Sequence, residues 1–156
     1  MCELIKVKKF DLYKYMEVSK ILNSCGKDMA YKYNLHHWDN SKLKSFAIVL
    51  YCSFKNDIYL TYINNNPVAT FMVKQYGKSL HFEKLGTLPS EAGKGIGSYC
   101  VNEIENIAMN SGCNKVYMEV YKLSQHAISF YSHKGYTVTG SYDTLKYEEI
   151  KMEKNI

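Results

Sequence analysis

The 156-residue sequence predicts an α+β fold organised on one mixed β-sheet. Three observations lead there. Runs rich in β-branched and aromatic residues at 58–63, 68–73 and 80–88 follow one another on short turns, which reads as an antiparallel meander. After the third run, Ile96, Cys100, Ile104, Ile107 and Ala108 fall at helical spacing, and Val116, Met118 and Val120 then alternate along residues 115–121. Strand, helix and strand in that order form a βαβ unit, so the runs at 80–88 and 115–121 should lie parallel. The chain closes on a predicted hairpin from 136–142 and 147–153. Its length and 46% hydrophobic content suit a single domain, residues 1–156, with one sizeable core.

Taken in order, residues 4–8 read as a short strand. Asp11 is a helix N-cap followed by Leu12, Tyr15, Met16, Ser19 and Leu22 at helical spacing, and glycine at Gly26 is expected to end this helix. Residues 29–38 are aromatic and mixed, and read either as a short helix and loop beside a site or as an aromatic cluster under a loop. Residues 41–54 fit a helix through Leu43, Phe46, Ala47, Leu50 and Phe54, although their centre is also a continuous apolar run. Asn64, Asn65, Asn66 and Pro67 form a turn between strands, and residues 76–79 form the next. Residues 110–114 stop the central helix. Ser124 reads as the N-cap of a last helix carrying Ala127, Ile128 and Tyr131 and closed by Gly135.

Composition excludes several classes. No apolar run approaches the roughly 20 residues that span a bilayer, and the N-terminus lacks a signal peptide's apolar core, so a soluble, cytoplasmic protein without a membrane partner is expected. The cysteines Cys2, Cys25, Cys52, Cys100 and Cys113 contain no Cys-x-x-Cys pair, which argues against disulfides and against a metal site. The net charge of +5 comes from lysine alone, for the chain has no arginine. Specific base contacts and bidentate phosphate forks both favour arginine, so no nucleic-acid partner is expected. Diffuse positive charge suits an anionic ligand and equally suits an ordinary solvated surface.

The chemistry-bearing stretch is Pro89-Ser-Glu-Ala-Gly-Lys-Gly-Ile-Gly97, between strand and helix. Glycines ahead of a helix leave backbone N–H groups uncovered, and the first N–H groups of a helix have no internal partner. Such a turn either binds an anion at the positive end of the helix dipole or is a tight connection that binds nothing. It is not a Walker loop, since no hydroxyl follows Gly93-Lys94-Gly95, and it is not a dinucleotide fingerprint, whose third glycine would come one residue later. It resembles the acyl-CoA pyrophosphate loop of the GNAT N-acetyltransferase superfamily, Arg/Gln-x-x-Gly-x-Gly/Ala. Gly95 and Gly97 match, and Ala92 stands where Arg or Gln is usual.

A second stretch resembles the same family. There, Leu-Glu-Val on a strand leads into Asn-x-x-Ala-x-x-φ-Tyr-x-x-x-Gly-Phe, with φ apolar. Here Met118, Glu119 and Val120 lead into Ser124, Ala127, Phe130, Tyr131, Gly135 and Tyr136 in register, with Ser124 in place of Asn. The resemblance runs from residue 80 to residue 136. It implies a GNAT-like sheet of about six to seven strands with helices on both faces, whose two parallel strands splay around the cofactor.

The resemblance also implies an activity, the transfer of acetyl from acetyl-CoA directly to an amine acceptor without a metal. Pantetheine would pair with the backbone of Leu85, Gly86 and Thr87. The pyrophosphate would meet the backbone of Ala92, Gly93, Lys94, Gly95, Ile96 and Gly97, with Ser98 and Ser124 completing the cofactor-binding set. Tyr131 matches the family's acid, and a phenol, with its ordinary pKa near 10, suits protonation of a departing thiolate. Glu119, twelve positions before Tyr131, and Glu83, on the strand before the loop, are the alternative bases, unless water relays the proton. His36, His37 and Trp38 are candidates either for the acceptor pocket or for packing. A catalytically silent acyl-CoA-binding or sensing domain is the alternative function. Neither the acceptor nor the oligomeric state can be read from the sequence.

Overall fold

Asp11 acts as the N-cap its position predicts, and Ser41 caps a second helix in the same way. The Asp11 carboxylate accepts the Lys14 N–H at 3.1 Å at the start of helix α1 (Leu12–Tyr33), and the Ser41 hydroxyl accepts the Lys44 N–H at 3.2 Å at the start of α2 (Lys42–Ser53). The computed structural model describes residues Met1–Ile156. Its remaining elements are β1 (Cys2–Lys6), β2 (Asp57–Ile63), β3 (Asn66–Tyr76), β4 (Ser79–Thr87), α3 (Ile96–Asn110), β5 (Lys115–Tyr121), α4 (Gln125–His133), β6 (Thr137–Asp143) and β7 (Glu148–Asn155).

The strands form one mixed sheet of seven in the order β1-β2-β3-β4-β5-β7-β6. Asn64 and Asn65 both take positive φ, 50° and 63°, the conformation a two-residue hairpin turn requires, and they set the antiparallel pairing of β2 with β3. β4 and β5 pair in parallel, as the strand–helix–strand order predicts. The terminal hairpin of β6 and β7 also forms. β7 pairs antiparallel with β5 on its other side, an insertion that hairpin-level reasoning does not reveal.

One expectation is overturned. α1 does not stop at Gly26 but continues to Tyr33, and Asn34, with φ 55°, supplies the left-handed cap. Gly26 serves packing instead: a Cβ there would lie 2.0 Å from the Trp38 carbonyl oxygen. The glycine therefore lets residues 34–41 turn back against the helix, and the mixed stretch 29–38 divides into the last turn of α1 and this loop.

The chain divides into two compact units, Met1–Lys74 with Lys84–Glu103, and Gln75–Glu83 with Ile104–Ile156. The core of the first is built by Tyr15, Val18, Ile21 and Leu22 of α1, Val49 and Cys52 of α2, and Ile58, Leu60 and Met72 of the sheet, with Trp38 and Leu88 packed on it. The second buries Leu80 and Phe82 of β4, Ile104 and Ala108 of α3, Val116, Met118 and Val120 of β5, and Ile150 and Met152 of β7. All five cysteines are free thiols, four of them buried. No helix is long and apolar enough to cross a membrane, and no group of three or more His, Cys, Asp or Glu is placed to hold a metal ion.

Candidate active site

In the first unit, β4 leaves regular geometry at Lys84, whose φ of 55° puts a non-glycine residue in the left-handed region in mid-strand. The ladder between β4 and β5 covers Ser79, Leu80 and His81 of β4 and ends there, so Leu85, Gly86 and Thr87 run on beyond the last β5 pair. Gly86 is tightly packed, since a Cβ would stand 3.0 Å from Cys25 Sγ and 3.3 Å from Leu22 Cδ2. The Cys25 thiol in turn donates to the Thr87 carbonyl at 3.1 Å, which secures the end of the strand to α1.

After Thr87 the Leu88 N–H returns to the Val68 carbonyl at 2.8 Å, and Pro89–Glu91 makes a single 3-10 turn. The Ala92 N–H closes that turn on the Pro89 carbonyl at 3.2 Å, so the set of available amides begins at Gly93 rather than at Ala92. The next backbone amide to find a carbonyl is Tyr99, bonded to Gly95 at 3.0 Å. Between them the N–H groups of Gly93, Lys94, Gly95, Ile96, Gly97 and Ser98 have no backbone partner. Gly93 and Gly95 adopt φ of 76° and 82°, and the space where their Cβ atoms would lie is open. Ile96 anchors the turn by burying its side chain, while the Lys94 ammonium pairs with Glu91 at 2.9 Å. An arc of amides, open space and a helix N-terminus give this turn the cradle shape from which backbone anion sites are built.

The second unit holds the titratable candidates. Tyr131 is buried in an aromatic cluster with Phe82 at 5.7 Å, Phe130 at 5.1 Å and Tyr136 at 6.0 Å between ring centroids, all edge to face. Tyr136 is itself held in place. Burial and the Glu105 carboxylate push its phenol pKa up, and its O–H donates to Glu105, which Lys154 also grips at 2.9 Å. Ser124 sits at the N-cap of α4, but its hydroxyl caps nothing: Oγ is buried without a hydrogen-bond partner. A buried, unpaired hydroxyl is costly in an apolar setting and is a donor in waiting for a polar ligand.

Glu119 is not a free carboxylate. Its Oε2 lies 2.6 Å from His81 Nε2 across β4 and β5. Burial works to raise its pKa, but the hydrogen bond to His81 and the charge that the imidazole carries when protonated, helped by Lys151, outweigh burial and hold the carboxyl below its usual range. Glu83, two residues beyond His81 on β4, is half-buried. His81 is the residue that sequence reasoning passed over, because nothing in its neighbourhood distinguishes it until the β4–β5 register brings it to Glu119.

The histidine and tryptophan candidates, in the first unit, are partly committed to structure. His36 bridges Asn34 Oδ1 at 2.9 Å and Asp39 at 3.2 Å, and the Trp38 ring lies against the core with Lys84 Nζ 5.4 Å from its centroid. A cavity of about 240 Å³ opens beside Leu88, lined by Tyr13, Met16, Glu17, Lys20, Ile21 and Pro67. None of the predicted site residues lines it.

A family model described as Acetyltransferase (GNAT) family matches residues 22–136. A glucosamine 6-phosphate N-acetyltransferase of Candida albicans is 30% identical over 137 residues, covering 78% of this chain and 79% of that protein. Among solved structures, the PaiA N-acetyltransferase of Thermoplasma acidophilum in complex with coenzyme A superposes with a TM-score of 0.76 at 18% identity, covering 100% of this chain and 99% of the other. The ribosomal-protein-S18-alanine N-acetyltransferase of Escherichia coli gives a TM-score of 0.73 at 14% identity, covering 100% and 94%.

Proposed function

The chain belongs to the acetyltransferase (GNAT) family of enzymes, and from that premise we propose that it transfers an acetyl group from acetyl-CoA directly to a primary amine of a small molecule, peptide or protein. Residues 1–156 act in this reading as one N-acetyltransferase domain. The observation that carries it is the row of unbonded amides on residues 93–98 at the head of α3. It offers a diphosphate several N–H donors and the positive end of a helix dipole at once. Gly93 and Gly95 leave the approach open, and in this reading the backbone of Leu85, Gly86 and Thr87, beyond the last pair of β4 with β5, meets the amides of pantetheine. The unpaired Ser124 hydroxyl supports a polar ligand at α4, where the family's motif has Asn.

The reaction asks three things of the protein. An ammonium acceptor must lose a proton, its neutral nitrogen must meet the thioester carbonyl carbon, and the thiolate released as the C–S bond breaks must be protonated. Tyr131 is the acid in this reading. Its ring is fixed by three aromatic neighbours, so the O–H is held by packing rather than by a mobile side chain. Glu119 and Glu83 are the strand carboxylates that stand as alternative bases, with water relay as the third route for the proton.

The test is a panel of amines offered with acetyl-CoA, with the N-acetylated product identified by mass spectrometry. Glucosamine 6-phosphate and a peptide with an alanine at its free α-amino end represent the acceptors named by the similar proteins, and an aminoglycoside widens the panel to further amino sugars. Acetylation of any one supports the proposal. Tight coenzyme A binding with no product from any amine favours the silent binding domain, the reading that Ala92 at the usual Arg or Gln position keeps in play.

A further inference from the structure

The meeting of His81 and Glu119 follows from strand register. His81 opposes Tyr117 at the last pair shared by β4 and β5, and Glu119 is the next residue on the same face of β5 as Tyr117. The imidazole is held between rings, Tyr117 at 5.0 Å and Tyr76 at 6.4 Å, and is largely enclosed, with 14% of its side chain exposed. The titratable groups around it are Glu119 in direct contact, the phenols of Tyr117 and Tyr76 that flank the ring, Glu83 two residues on along the same face of β4, and Lys151, which stands 4.6 Å from the Tyr117 ring centroid.

This geometry fixes the chemistry of both partners. An ionised carboxylate can only accept, so the hydrogen in the 2.6 Å contact belongs to His81 Nε2. A neutral imidazole protonated on Nε2 carries its lone pair on Nδ1, and Nδ1 has no hydrogen-bond partner in the protein. Glu119, engaged by this contact and held in its ionised form, is a weak acceptor for a further proton. An imidazole that is oriented and tautomer-locked by a carboxylate is the arrangement that makes histidine a base near neutral pH.

We propose that His81 is the general base of the acetyl transfer, with Glu119 as the positioning residue that fixes its tautomer and balances its charge. The inference rests on the N-acetyltransferase reading above. In the step, Nδ1 takes a proton from the acceptor ammonium, leaving a neutral amine and an imidazolium facing Glu119. The amine nitrogen bonds to the thioester carbonyl carbon, the C–S bond breaks, and the thiolate takes the Tyr131 proton. Solvent then removes the proton from His81 and the second proton of the new amide nitrogen, and reprotonates Tyr131. The electron pair that forms C–N comes from the amine, and the pair of the broken C–S bond leaves with sulfur, so no oxidant or reductant is needed.

The experiment has two arms on the full-length protein. In the first, ¹⁵N NMR of the histidine rings, assigned with His81→Gln, reads the tautomer of neutral His81. A proton on Nε2 agrees with the proposal, and a proton on Nδ1 overturns it. In the second, kcat/KM is followed against pH for wild type, His81→Gln and Glu119→Gln with whichever of glucosamine 6-phosphate, an aminoglycoside or the free α-amino peptide is acetylated. His81→Gln should lose about 10²- to 10⁴-fold, the usual contribution of a general base. Glu119→Gln should lower kcat with coenzyme A affinity unchanged and reduce the Nε2-protonated fraction of neutral His81 in the ¹⁵N spectrum, a change that a purely structural role would not produce. Coenzyme A affinity is measured on each variant to show that the fold is retained. An active wild type with His81→Gln within fivefold of it overturns the base alone. A wild type that acetylates none of the amines overturns the functional reading and the base with it.

Discussion

The carbonyl oxygen of Trp38 occupies the place that the Cβ of any other residue at position 26 would need: an added Cβ on Gly26 would lie 2.0 Å from it. Alanine is ordinarily worth about 1 kcal/mol over glycine inside a helix. Here the clash is with backbone, which cannot swing aside as a flexible side chain would, and overpacking of this kind costs about 1–3 kcal/mol. Gly26→Ala should therefore lower the melting temperature, against the direction that helix propensity predicts. A thermal melt of both proteins checks it, and an unchanged or higher Tm for the variant would show that the 34–41 loop yields easily.

Thiol chemistry follows from the same region. Burial pushes the Cys25 thiol up to about 12, with the Asp28 charge adding to it, and burial pushes Cys100 up to about 11. Both stay protonated at pH 8, where the thiolate fraction of a thiol titrating near 11 is about 10⁻³, and the thiolate is the reactive form. Alkylation of the native protein with iodoacetamide at pH 8, mapped by mass spectrometry, should mark the partly exposed Cys2 well before Cys25 or Cys100. Early labelling of Cys25 would mean that its hydrogen bond to Thr87, and with it the end of β4, opens readily.

The amide cradle makes a prediction in which stability and binding part company. A glutamate at position 97 lies in the first turn of α3, where negative charge favours the helix dipole. It also brings a carboxylate to the amides on residues 93–98. Gly97→Glu should leave thermal stability near that of the wild type while weakening coenzyme A binding tenfold or more, about 1.4 kcal/mol. Calorimetric titration with coenzyme A reads the affinity, and equal binding by the two proteins would remove the loop from the cofactor site.

Much of this architecture is legible in the sequence because local chemistry and tertiary structure agree. Asp11 and Ser41 sit where hydroxyl or carboxylate oxygens can cap a helix, Asn64 and Asn65 tolerate positive φ, and Gly135 ends α4 with φ 89°. Legibility stops where a residue answers to a distant one. Gly26 looks like a helix stop because glycine commonly serves as one, whereas its need is set by a carbonyl twelve residues away. Ser124 looks like an ordinary cap, yet its hydroxyl bonds nothing in the protein. The glycine loop was visible, but which amides remain open depended on Ala92 turning back to Pro89. Glu119 was visible as a carboxylate, and its engagement with His81 was not, since a pair across parallel strands depends on a register that no single strand encodes.

Acetyl transfer to an amine with Tyr131 as the acid is read out by the thiol it releases. Release of coenzyme A thiol from saturating acetyl-CoA is followed with and without an accepted amine, for wild type and for Tyr131→Phe, under conditions where chemistry limits the rate. The substitution keeps the ring against Phe82, Phe130 and Tyr136 and removes only the O–H. Release should depend on amine in the wild type, and kcat should fall about 10²- to 10⁴-fold in Tyr131→Phe with coenzyme A affinity little changed. Release that ignores the amine, or a variant within about fivefold of wild type, a loss well below what general acid catalysis supplies, would contradict it.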